Sequence, residues 1–119
     1  MFDLPVGTPV TDTRADAAVT VTLTAAEVRR NQGTDFLVAT VRYTGKAGEF
    51  AYRPYDWRFR AAGGTETQMS FIDVPDPLEE GTVRPGETVA GLVGFEVPPG
   101  TRGVVFYAPG GAELASWKV

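Results

Sequence analysis

Apolar and polar residues alternate with a period of two along most of the chain, and the alternation restarts after each glycine- or proline-rich turn. In "AVTVTLT" (18–24), Val19, Val21 and Leu23 share one face, and Thr20, Thr22 and Thr24 the other. "DFLVATVRYT" (35–44) groups Leu37, Ala39, Val41 and Tyr43 against Thr40 and Arg42. "YDWRFR" (55–60) directs Tyr55, Trp57 and Phe59 inward and Asp56, Arg58 and Arg60 outward. "QMSFIDV" (68–74) and "TVAGLVGFEV" (88–97) continue the series. "GVVFYA" (103–108) is apolar on both faces, as a central strand requires, and "ELASWKV" (113–119) closes the chain.

Strands of this kind, joined by "GKAGE", "AAGGT", "RPGE", "PPGTRG" and "APGGAE", predict an all-β fold. The architecture expected is an immunoglobulin-like antiparallel β-sandwich of about seven strands spanning residues 17–119. Residues 1–16 are expected as an N-terminal extension or edge strand, where Pro5 and Pro9 remove no ladder hydrogen bond. Helix signals are few. "TAAEVRR" has Thr24 and Glu27 at capping-box spacing but continues a strong strand, so it reads as the strand's end or at most one turn. "DPLEEG" suits one short helical turn near residues 76–80, with Asp76 as cap, Pro77 at the first position and Gly81 at the exit.

The run "RPGETVAGLVGF" (84–95) is rich in glycine but is no phosphate cradle. Leu92 and Val93 stand where a lysine and a hydroxyl would hold phosphate and magnesium. It reads instead as a turn at Pro85 and Gly86 leading into a strand. Gly91 falls on the inward side, and its missing side chain is expected to let a large neighbour such as Trp57 approach the backbone.

Composition narrows the chemistry. The chain contains neither cysteine nor histidine, which excludes disulfides, thiolate sites, and the commonest general base and transition-metal ligand. The two serines, Ser70 and Ser116, lie in strands with no histidine to activate them, and no pair among the acidic residues has a recognisable catalytic setting. An enzyme is therefore not expected, and no cofactor is called for. A net charge of −4 opposes broad attachment to nucleic acid, and no apolar run is long enough for a membrane span. The start "MFDLPVGTP" lacks the basic and apolar regions of a signal peptide.

Three constellations remain as candidates. Asp73, Asp76, Glu79 and Glu80 share one loop and supply the oxygens a calcium ion needs, though without the ordered spacing of a dedicated calcium loop. Tyr52 and Tyr55 are the rings best placed to form a platform for sugars, with Tyr52 beside Pro54 the one expected to be most exposed. Arg42, Arg58 and Arg60 share outward parity and would form a basic stripe if their strands paired; ion pairs with acids such as Asp56 and Glu96 are the alternative.

The segments "YRPYDWRFRAAGGT", "VRPGETVAGLVGFEVPPG" and "VVFYAPGGAELASWKV" resemble a known pattern. It is that of the immunoglobulin-like domain of unknown function found in actinobacterial and other Gram-positive secreted proteins and lipoproteins, related in fold to a small secreted immunogenic antigen of mycobacteria. Pro54, Tyr55, Asp56, Trp57, Gly64, Pro85, Gly86, Glu87, Gly91, Phe95, Val97 and Pro98 carry the likeness. The stretch "YTGKAGEF" departs from it. The resemblance implies a secreted or surface-anchored module, with an export signal upstream of Phe2, that contacts a protein or cell-envelope partner through edge strands or through the loops "GKAGEFAYRP" and "DVPDPLEEG". The competing expectation is a carbohydrate- or small-ligand-binding sandwich.

Overall fold

The computed structural model describes residues 1–70 and 74–119. Among the described residues ten strands run in chain order: β1 (Pro9–Thr13), β2 (Ala18–Asn31), β3 (Thr34–Ala47), β4 (Phe50–Tyr52), β5 (Trp57–Ala61), β6 (Glu66–Gln68), β7 (Gly81–Val83), β8 (Thr88–Val97), β9 (Gly103–Tyr107) and β10 (Ala115–Lys118). They build two antiparallel four-stranded sheets, ordered β1-β2-β3-β8 and β10-β9-β5-β6, and a separate β4-β7 ladder. The result is the predicted all-β sandwich. It is elongated, with extents of 43 × 27 × 22 Å.

The alternating apolar residues face each other across the two sheets, as the period-two pattern requires. Val19, Val21, Leu23, Val41, Tyr43, Val93 and Phe95 on the first sheet pack against Trp57, Phe59, Val105, Tyr107, Ala115 and Trp117 on the second. Each large side chain withdrawn from water in this way contributes on the order of 1.5–3 kcal/mol. The β4-β7 ladder adds Phe50, Tyr52 and Val83 to the same core.

The structure sharpens or changes several local readings. "TAAEVRR" is the strand end and not a turn: it forms the distal half of β2, which runs on to Asn31 and returns through Gln32 and Gly33 as β3. Both turn residues have positive φ, 53° and 81°, the mirror-image turn whose twist matches a two-residue hairpin. A bulge between Leu23 and Ala25 leaves Thr24 without an opposite residue, and its hydroxyl donates to the Thr40 carbonyl at 3.2 Å. The extra residue shifts the parity, so the core-facing positions change from odd (Leu23) to even (Ala26).

The helical turn near 76–80 is replaced by an edge contact. Asp76 takes a left-handed φ of 50°, Leu92 N–H donates to its carbonyl, and Leu78 N–H donates to the Leu92 carbonyl. The 3-10 turns lie instead at Pro54–Asp56 and Pro109–Gly111. The first of these delays the alternation of "YDWRFR" until Trp57. Tyr55 is therefore about half exposed and Asp56 is buried, the reverse of the parity expected. Of "QMSFIDV", Gln68 ends β6 and Ser70 bridges to Gly94, while residues 71–73 lie outside the described residues.

Gly91 faces inward as expected, but its close neighbour is not Trp57. A Cβ there would lie 2.6 Å from Leu78 Cα and 2.8 Å from Leu78 N. The obstacle is main chain, so no change of rotamer relieves it. Gly91→Val should lower the stability by about 1–3 kcal/mol, measured as a shift in the urea midpoint at unchanged slope. A variant with the parent's midpoint would show that the 76–78 segment does not lie against β8.

Candidate functional site

Three polar tips inside the aromatic core each find a partner across the sandwich. Trp57 Nε1 donates to the Tyr43 hydroxyl at 2.8 Å, and Tyr107 OH donates to Asp12 Oδ2 at 2.7 Å. Trp117 Nε1 donates to the Thr8 carbonyl at 2.8 Å. Around them the rings of Tyr43 and Tyr52 stack at 4.9 Å, and Trp57 lies 5.1 Å from Tyr107 and 5.6 Å from Trp117. No buried side-chain nitrogen or oxygen among the described residues lacks a partner.

This network reaches the surface in a cleft of about 460 Å³ lined by Asp12, Arg14, Arg53, Asp56, Glu80 and Pro109 among others. Asp12 and Asp56 are buried carboxylates, and each is held by an arginine: Arg14 lies 3.6 Å from Asp12, and Arg53 lies 3.3 Å from Asp56. Arg14 also donates to the Ala51 carbonyl at 3.1 Å and covers the Phe50 ring at 3.8 Å. These groups satisfy one another, and burying a carboxylate requires that. Through Arg14 the arrangement joins the end of β1 to β4.

A second cleft, of about 340 Å³, is more apolar and is bounded by Pro54, Tyr55, Met69, Leu78, Leu92 and Val93. Tyr55 is the one candidate ring that meets it. Tyr52, expected as the most exposed ring, is buried against Tyr43, so the two tyrosines form no shared platform. Burial, and then the charge of Glu79, raise the Tyr52 phenol above its ordinary pKa.

The arginine stripe does not form. Arg42 lies on β3 in the first sheet, whereas Arg58 and Arg60 lie on β5 in the second. Arg60 covers the Phe106 ring at 4.6 Å and pairs with Glu66 and Glu113, partners other than the Asp56 and Glu96 anticipated. In the acidic loop Asp76, Glu79 and Glu80 are exposed, while Asp73 lies outside the described residues. No three metal-ligating side chains converge among the described residues.

What the sequence reading passed over is a backbone feature. The first half of β2 is covered by β1, which pairs with Ala18–Thr22, and Gly7 N–H then takes the Leu23 carbonyl at 2.7 Å. Beyond that point β2 pairs only with β3. The β8 edge is covered by Ser70 and by Asp76–Leu78, and the β10 edge by Leu4 through Ser116 and Lys118. Among the described residues, Thr24–Asn31 is thus a long sheet edge with no neighbour, and Val28 on it is 56% exposed. The signal was present in "NQGT", a glycine-containing two-residue turn between two runs of strand-forming residues.

The described residues thus form an antiparallel two-sheet sandwich in which buried polar groups join the sheets and a run of main-chain groups lies uncovered along the β2 edge. Solved structures share this architecture. The secreted protein MPT63 from Mycobacterium tuberculosis matches the whole chain over 97% of its own length, with a TM-score of 0.82 and 16% identity. The yjhA protein from Bacillus subtilis matches 92% of this chain and 84% of its own, with a TM-score of 0.69 and 16% identity. The likeness is one of fold, and it meets the expected kinship in fold with a small secreted mycobacterial protein. No protein-family model and no curated protein matches the sequence.

The core network sets an alkaline limit. Burial raises the Tyr43 and Tyr107 phenols above the ordinary tyrosine value, and for Tyr107 the neighbouring Tyr43 and the Asp12 carboxylate add to the effect. A phenol whose native pKa is raised stabilises the fold fully below its unfolded pKa of about 10, and this contribution is lost as pH climbs through the raised native value. At most two of the four tyrosines should therefore ionise, by tyrosinate absorbance, before the near-UV circular dichroism collapses. Ionisation of a third in a chain with intact dichroism would contradict this.

Proposed function

We propose that this protein is a non-catalytic, extracytoplasmic interaction module that binds a protein or cell-envelope partner by adding a strand to the open edge of β2. The observation that carries the reading is the Thr24–Asn31 edge, left without a neighbour while the β8 and β10 edges are covered. Long uncovered edges are a hazard for pairing with other chains, and proteins ordinarily shorten or cover them. One left open is a site for strand addition, in which main-chain hydrogen bonds supply affinity and alternate side chains supply specificity.

The absence of histidine and cysteine from the sequence and the mutual pairing of Asp12 and Asp56 with arginines favour a binding role over chemistry. The fold likeness to a secreted protein favours a place outside the cytoplasm. The buried position of Tyr52 removes the platform on which sugar binding rested.

Val28→Pro tests the edge, because proline deletes a single main-chain donor at a position where β3 does not use it. Expressed from the native gene, the parent should fractionate outside the cytoplasm. The variant, melting within a few degrees of the parent, should be lost from the complexed or envelope-bound pool at least about fivefold. A parent recovered in the cytoplasm overturns the location; an unchanged distribution of the variant overturns the edge.

A further inference from the structure

The edge has a pattern that specifies its occupant. The bonds at Gly45 fix which main-chain groups point outward: Gly45 N–H donates to the Glu87 carbonyl and the Gly45 carbonyl accepts from Gly86 N–H, so odd residues of β3 turn toward β8 and even residues toward β2. In an antiparallel ladder the outward and inward groups alternate. With the register Ala25↔Thr40, Glu27↔Val38 and Arg29↔Phe36, the groups of Ala25, Glu27 and Arg29 are used by β3. Those of Ala26, Val28 and Arg30 face away from the sheet.

The free run begins at Thr24, since the Leu23 carbonyl is already taken by Gly7, and ends at the turn residue Gln32. Its midpoint is Val28. Glu27 and Arg29 flank that midpoint on the solvent face and are joined within the strand at 2.6 Å. Val28 sits on the opposite face, and Arg30 beside it is held by the buried Asp35 at 2.8 Å.

We propose that the occupant of this edge is a second copy of the same chain, paired antiparallel about a two-fold axis through Val28. This rests on the reading that the β2 edge is the working surface. In that register Val28 exchanges both main-chain hydrogen bonds with Val28 of the second copy, and Ala26 exchanges both with Arg30 of the second copy, twice by symmetry. Glu27 lies opposite Arg29 of the second copy and Arg29 opposite its Glu27, at the non-hydrogen-bonded positions where cross-strand side chains approach most closely.

The intrastrand pair is thereby extended into a four-charge cluster of alternating sign. Two-fold axes through Ala26 or Arg30 also use outward-facing groups, but they set Glu27 against Ala25 or Arg29 against Asn31 and gain no such pairing. The sequence "EVR" is self-complementary only when reversed upon itself, as an isologous interface demands. The first sheet of each copy then continues into that of the other, and the open edge disappears.

Sedimentation equilibrium of the purified chain across micromolar to millimolar concentration tests this, with Glu27→Arg and Arg29→Glu as variants. Both positions are exposed, and the melting temperature of each variant verifies folding. The parent should dimerise reversibly, and each variant alone, with like charges opposed, should dimerise at least tenfold more weakly. A mixture of the two variants in equal amounts should recover the parent's affinity, because every Arg then meets a Glu; a merely structural effect of either substitution would not be rescued by mixing. A parent that stays monomeric throughout, variants that dimerise like the parent, or a mixture no stronger than its parts would each overturn the second copy as partner. A monomeric parent whose Val28→Pro variant still loses its bound pool would overturn this proposal alone and leave strand addition by a different chain standing.

Discussion

The hydrogen bond from Trp57 to Tyr43, with those from Tyr107 to Asp12 and from Trp117 to Thr8, fixes how the two sheets sit on one another. Apolar packing alone is tolerant of small slides, because burial of area has no direction. A polar tip buried in an aromatic core has no such tolerance: left unpaired it costs about 1–3 kcal/mol. Each of these three donors sits on the second sheet and each acceptor on β3, on β1 or in the segment just before β1. Sliding the sheets would leave all three unpaired together.

The same bonds decide where the edges lie. Asp12 and Thr8 tie β1 and its lead-in to the second sheet, so β1 is held against only the first half of β2. The residues ahead of it are carried to β10, where Asp3 and Leu4 N–H groups donate to Ser116 and Lys118 N–H donates to Leu4. The N-terminal segment therefore closes one sheet edge and half of another, running from β1 toward β10 and not along Thr24–Asn31. The bulge at Thr24 marks the division, re-aiming β2 where β1 ends.

This accounts for what the sequence disclosed and what it withheld. Strands with one buried face were legible because their alternation follows directly from a two-sheet core, as in 18–23, 35–44 and 88–97. The distal half of β2 was legible only as a strand's end or a turn, because the bulge puts the core-facing Leu23 and Ala26 three residues apart, a spacing that imitates a helix and offers a capping reading of Thr24 and Glu27. Tyr52 was read as exposed because Pro54 marks a connection, yet the three-residue β4 carries it into the core before the turn begins. Nor does outward parity on its own say which sheet a strand joins, so Arg42 could not be separated from Arg58 and Arg60 without topology. Gly91 was legible as a close approach, but its neighbour comes from a non-repetitive segment, where sequence carries no period to read.

The weight to place on fold likeness follows from the same physics. A two-sheet core needs apolar residues at alternate positions and a few directional bonds between sheets, requirements that many sequences satisfy, so a TM-score of 0.82 coexists with 16% identity. Surfaces and edges carry no such requirement and are free to differ between proteins that share the core. The fold is therefore informative about how this chain stands up and uninformative about what it touches. Glu27, Val28 and Arg29 contribute little to the core, so their identities are set by what the edge meets, whether solvent that the charges keep there or the strand proposed to add to it.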